Sequence, residues 1–99
     1  MDFIALRQKC DDEVIEILTE IPGIGVWTAE IYAMFSLKRA DIFAAGDLAL
    51  KEGARLLFSL NERATEGELR VRSKKWSPWR SVAAHLLWDY YFIQGVKID

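Results

Sequence analysis

Residues 21–30, IPGIGVWTAE, set a proline and two glycines among apolar residues and then run directly into helix-forming sequence. Glycine tolerates positive φ and has no Cβ, so Gly23 and Gly25 let another molecule approach the backbone closely. The helix restarting at Val26 points its free N–H groups, through Thr28, and the positive end of its dipole at the same place. That combination suits an anion, and phosphate is the usual one. An ordinary helix–helix turn accounts for the two glycines equally well. A second candidate is Asp47, at a predicted helix N-cap between Gly46 and the run LALK. Capping alone is worth about 1 kcal/mol, and the helix dipole favours an ionised carboxylate there.

Other reactive side chains are few. Cys10 is the single cysteine, with no CxxC spacing and no histidine nearby. It cannot form an internal disulfide, which fits a reducing compartment, and it reads as a buried or half-buried small hydrophobe. His85, the one histidine, falls on the apolar side of the last helix and reads as a packed, hydrogen-bonded residue. The net charge of −2 argues against binding nucleic acid through bulk positive charge. Backbone amides, however, bind phosphate without side-chain charge. Arg70, Arg72, Lys74, Lys75 and Arg80 cluster, as do Asp11, Asp12, Glu13, Glu16 and Glu20, each group reading first as a solvated face. No apolar run is long enough to span a membrane, and no basic start precedes an apolar stretch as in a secretory signal.

The elements that must position these groups are helical throughout. Ninety-nine residues bound the chain to one small domain. Residues 3–8 suit a short helix. Asp11 and Asp12 are N-cap candidates for a second, with Val14, Ile15, Ile17 and Leu18 on its apolar side. Pro22, Gly23 and Gly25 end it, and a third runs from Val26 to about Leu37 with Trp27, Ile31, Met34 and Phe35 at helical spacing. KRADIFAAG follows as a connection without periodicity. A fourth helix starts at Asp47 and carries Leu48, Leu50, Ala54, Leu57 and Phe58. Thr65 and Glu68 have capping-box spacing, opening a fifth helix that ends near Trp76. Ser77 as N-cap and Pro78 as first helical residue open the last, which stops near Gln94 at Gly95. The expected fold is an all-α orthogonal helical bundle.

LTEIPGIGVWTAEIYAMFSL resembles the helix-hairpin-helix motif of the DNA glycosylase superfamily. DIFAAGDLALKEG resembles that family's loop and helix start bearing an aspartate, and KKWSPWRSVAAHLLW the tryptophan-rich final segment of its alkylpurine branch, the 3-methyladenine DNA glycosylase II type. The resemblance runs in order through most of the chain: hairpin at 21–25, catalytic loop and helix at 41–58, final helix at 78–94. It implies DNA base-excision repair by a monofunctional N-glycosylase acting on alkylated, cationic purines flipped out of damaged double-stranded DNA. It implies Asp47 as the catalytic carboxylate and Trp27, Trp88 and Ile31 at the base pocket. Gly23, Gly25, Val26, Thr28 and Arg80 would contact DNA phosphates, with Lys74 and Lys75 as further contacts. Backbone carbonyls of Thr19, Ile21 and Ile24 would hold a monovalent cation. No cofactor is implied, no membrane is involved, and the location is intracellular, in the cytoplasm, nucleoid or nucleus. Bifunctional relatives have a lysine nucleophile at the position of Trp27, so the lyase step is not expected. Aromatic faces attract cations, by about 2 kcal/mol or more when desolvated, which suits an alkylated purine. Trp76 and Trp79 are expected in the core or beneath the start of the final helix.

The sequence departs from the family pattern in length, because a helical segment ahead of the hairpin is missing, and at Ile31, where some alkylpurine glycosylases have tyrosine. Two other readings stand beside the enzyme: a DNA-phosphate-binding module or inactive glycosylase fragment, and a structural or interaction protein with a degenerate fold. Phosphate binding alone needs none of Asp47, Trp27 and Trp88. The missing segment should leave an apolar face open, so the chain is expected to associate with itself or with the absent half of the domain. Light scattering at micromolar concentration should report a mass above the monomer; a well-ordered monomer would contradict this.

Overall fold

The computed structural model describes residues 3–98. In chain order the helices are α1 (Phe3–Arg7), α2 (Asp11–Thr19), α3 (Val26–Phe35), α4 (Leu48–Leu57), α5 (Glu66–Ser73) and α6 (Arg80–Ile98), with a 3-10 turn at Lys74–Trp76 before α6. The described residues contain no strand, and none of their helices is long and apolar enough to cross a membrane.

Two helix pairs carry the packing, α2 against α3 and α4 against α6. The core is built from Leu6, Val14, Leu18, Ala29, Ala33, Met34, Leu50, Ala54, Leu69, Ala84 and Leu87, completed by the four consecutive buried residues Ile42 to Ala45. Small side chains set the helix spacing. At Gly53 on α4 a Cβ would lie 2.8 Å from the Leu87 carbonyl oxygen on α6, so glycine lets the two backbones touch.

Several boundaries differ from expectation. Cys10, not Asp11 or Asp12, is the N-cap of α2; the aspartates fill the first turn, where they complement the helix dipole. Cys10 is exposed, and its thiol donates to Glu13 Oε1 at 3.1 Å, which corrects the buried reading. α3 stops at Phe35, and the chain leaves it through Lys38 at φ 54. The capping box at Thr65 and Glu68 is present, with both reciprocal hydrogen bonds made. α5 ends at Ser73 rather than near Trp76. The last helix begins at Arg80, two residues after Pro78, and passes through Gly95 to Ile98.

The segment between α3 and α4, which has no periodicity in sequence, is fastened from both sides. Ser81 on α6 accepts from the Ile42 N–H at 3.0 Å, while its own N–H donates to the Ala40 carbonyl at 2.9 Å. The Arg39 guanidinium reaches the carbonyls of Leu6 and Arg7 at the end of α1. Asp41 receives Arg80 Nε at 2.8 Å and Nη2 at 3.0 Å, with the Ser77 hydroxyl at 2.7 Å. Glu30, buried on α3, takes both guanidinium nitrogens of Arg70 on α5 at 2.8 and 3.2 Å. These pairings correct the solvated-face reading of the arginines: Arg70 and Arg80 are ion-paired, and Arg72 lies 4.7 Å over the Phe58 ring. Lys74 and Lys75 remain exposed.

Trp76 stacks near Phe43 and Phe58, as a core-edge residue should. Trp79 does not join it and is 62% exposed. Val82, Leu86, Phe92 and Ile93 of α6 are exposed as well. The molecule measures 44 × 26 × 25 Å and its radius of gyration is 14.3 Å, against about 13 Å for a compact chain of this length.

The hydrogen bonds from Arg80, reinforced by Ser77, outweigh desolvation and hold the Asp41 carboxyl down from 3.8 to about 2. A depressed folded-state value means stability that is complete above the unfolded value and lost as pH falls through the folded one. Urea unfolding should therefore show Asp41→Asn less stable than the parent at pH 6, with the difference shrinking as pH drops from 4 toward 2. A gap independent of pH would contradict the ionic lock.

Candidate active site

Asp47 follows the buried run Ile42 to Ala45, and its N–H donates to the Ala44 carbonyl at 2.9 Å, closing a tight turn. The turn delivers Asp47 to the N-cap of α4 in extended conformation, at φ −72° and ψ 127°. Its Oδ2 accepts the Leu50 N–H at 3.1 Å, so the capping role read from sequence is realised.

Two further donors meet the same carboxylate. Trp27 Nε1 donates to Oδ1 at 2.8 Å, and Trp88 Nε1 donates to Oδ2 at 2.9 Å. The two tryptophans come from the first turn of α3 and the middle of α6. One carboxylate thus joins three helices at a half-exposed point on the surface. All three donors are N–H groups, so the carboxylate is the acceptor in each of these contacts.

The hairpin lies one indole away. Gly23 has φ 89°, the left-handed region that side chains avoid. The Ile24 N–H donates to the Ile21 carbonyl at 3.0 Å to close the turn. Gly25 is the N-cap of α3 at φ −88° and has no side chain with which to cap it. The first-turn amides of Val26, Trp27 and Thr28 therefore begin the helix without a side-chain partner at the cap, and a Cβ at Gly23 or Gly25 would meet nothing within 4 Å. Because Trp27 directly follows Val26, the uncapped end of α3 and the Asp47 carboxylate share one small region of surface.

The other expected site residues are placed less directly. Ile31 sits one turn beyond Trp27 and is half-buried against the core. Arg80 is drawn to Asp41, so its charge is largely spent on fastening the loop that leads to Asp47. Thr19 precedes the hairpin, and Ile21 and Ile24 lie within it. The Thr19 hydroxyl donates back to Glu16, and the Ile21 carbonyl keeps one lone pair after the turn hydrogen bond. Neutral carbonyl oxygens of this kind are the donors a hard cation takes.

Sequence reasoning missed the surroundings of Trp88. Phe35 lies 5.4 Å from its ring and His85 5.5 Å in an edge contact, while Phe35 and His85 meet edge-on at 5.2 Å. His85 is exposed rather than packed inside, and it serves as one wall of this aromatic group. Glu30 was also missed. A lone acid among apolar helix positions, with an arginine 40 residues away, is the only trace the pair leaves in the sequence.

No family model matches the chain. It is 41% identical over 78 residues to DNA-3-methyladenine glycosylase 1 of Schizosaccharomyces pombe, covering 79% of this chain and 34% of that protein. The solved structure of DNA-3-methyladenine glycosidase from Bacillus halodurans matches with a TM-score of 0.83 and 41% identity, over 92% of this chain and 42% of that one. The 3-methyladenine DNA glycosylase of S. pombe, solved in complex with abasic DNA, matches with a TM-score of 0.80 and 38% identity, over 86% and 41% of the two chains. The chain thus spans less than half the length of these relatives. In sequence and in fold alike, it is homologous to a part of the DNA-3-methyladenine glycosylases and carries the helix-hairpin-helix glycosylase architecture of that part.

Proposed function

We propose that this chain supplies the hairpin, the carboxylate and the aromatic walls of a monofunctional DNA glycosylase acting on alkylated purines. The observation that supports the reading most is the ionisable oxygen pair of Asp47, held between two indoles immediately beside the glycine turn.

In this reading the backbone amides after Gly23 and Gly25, with Val26 and Thr28, grip a phosphate of damaged double-stranded DNA. A monovalent cation on the carbonyls of Thr19, Ile21 and Ile24 would add positive charge beside that phosphate. Contact through amides is consistent with a net charge of −2 and carries little sequence information. The damaged nucleotide leaves the stack, as chemistry on a base within a duplex requires. Trp27, Trp88 and Ile31 line the side of the pocket this chain provides. A purine alkylated at N3 or N7 is cationic and is attracted to indole faces.

The C1′–N bond then breaks with its electron pair going to the purine, which departs neutral. Positive charge appears on the deoxyribose as an oxocarbenium ion, as in glycoside hydrolysis. The fixed charge of Asp47 stabilises it, water adds at C1′, and loss of a proton leaves an abasic site. Trp27 has no amine with which to form a Schiff base, so the strand is not cut.

Base release from N-methylated duplex DNA tests the chemistry. Asp47→Asn should lower the rate by roughly 100-fold or more, the scale on which a preorganised charge acts. Equal rates would remove the catalytic assignment. DNA binding without release by either protein would identify a phosphate-binding module instead. The hairpin has its own test. Gly25→Ala meets no steric obstacle and should keep stability within about 0.5 kcal/mol, whereas Gly23→Ala is strained at φ 89° and should lose about 1 kcal/mol. Both should weaken DNA binding roughly tenfold; unchanged affinity in both would place the phosphate elsewhere.

A further inference from the structure

Trp27 and Trp88 touch Asp47 through their N–H edges, which a pocket wall does not require. We infer that the two tryptophans are positioning residues for Asp47, and that the aromatic walls and the charge form one rigid unit; the inference rests on the glycosylase reading above. A carboxylate offers about four lone-pair directions, and indole N–H is a donor with no acceptor capacity and no titration in the working range. Here three directions are filled: Trp27 on Oδ1, and Trp88 with the Leu50 N–H on Oδ2. One direction on Oδ1 stays open for sugar or water.

The donors belong to α3, α6 and α4, so turning the carboxylate about its own bond breaks a contact with at least one helix. The two pins differ in stiffness. Phe35 and His85 brace the Trp88 ring at 5.4 and 5.5 Å, while Trp27 is 49% exposed. A base stacked on either indole is therefore held in register with the charge. Phenylalanine would supply an equivalent apolar face without fixing that register. Trp76 and Trp79, the remaining two of the four tryptophans, serve as internal controls.

Trp27→Phe and Trp88→Phe keep a flat aromatic ring and delete the donor. For base release from N-methylated duplex DNA, each should lower kcat about tenfold, the value of one hydrogen bond, and leave KM within about twofold. The larger loss should fall on Trp88→Phe. An unchanged kcat in both variants, or a loss confined to KM, would mean that the indoles are walls only. A second measurement does not depend on catalysis. In indole ¹⁵N–¹H spectra of this chain, Asp47→Ser, which keeps a capping hydroxyl for α4, should shift the Trp27 and Trp88 resonances and speed their exchange with solvent. Trp76 and Trp79 should stay in place. No response at Trp27 and Trp88 overturns the inference even if the parent releases base. Clear responses there, in a parent that releases none, overturn the glycosylase reading and leave the clamp standing.

Discussion

A single carboxylate ties this structure together. Asp47 ends a buried loop, caps α4 through the Leu50 N–H, and accepts one indole from α3 and one from α6. Its three hydrogen bonds link α3 to the closely packed α4–α6 pair. The pairs α2–α3 and α4–α6 each have their own packing. The carboxylate is the polar joint at which the two pairs meet on the side of the glycine hairpin.

Such a joint works only if its foundation does not drift. The residues leading into it, Ile42 to Ala45, are almost fully buried and small or apolar. They make no regular structure, so their polar groups must be met by other means. Ser81 meets the backbone, Arg80 and Ser77 meet Asp41, and the Glu30–Arg70 pair clamps α3 to α5 nearby. Arg80, expected at a DNA phosphate, is committed to this internal work together with Arg70. The uncapped start of α3, with the exposed Lys74 and Lys75, is open to solvent. In the proposed function, contact through amides suits an acidic chain and an acidic ligand.

The helices were legible because they obey local rules: the capping box at Thr65, the cap at Asp47 and the break at Pro22 to Gly25 all lie within a few residues of their cause. Boundaries failed where a distant partner decided them. α6 starts at Arg80 instead of Pro78, where Asp41, far off in sequence, draws in both Ser77 and Arg80. It passes Gly95 because one glycine costs a helix only about 1 kcal/mol. Trp79 and His85 were misplaced for a related reason, since helical spacing names a face without saying what lies opposite it. The resemblance singled out Asp47, Trp27 and Trp88 as candidates. That their polar edges converge on one another could not be read from the sequence, because each pair is separated by a loop whose path carries no periodic signal.

Gly53 gives this arrangement a mechanical side. It lies on α4 beyond the cap, and the backbone of α6 rests on it at Leu87, the residue before Trp88. The distance from fulcrum to cap is six residues, or about 9 Å of helix. The missing methyl group at this contact thus sets the clearance between the two rods, and with it whether the ring after Leu87 can still reach the oxygen at the far end of the lever.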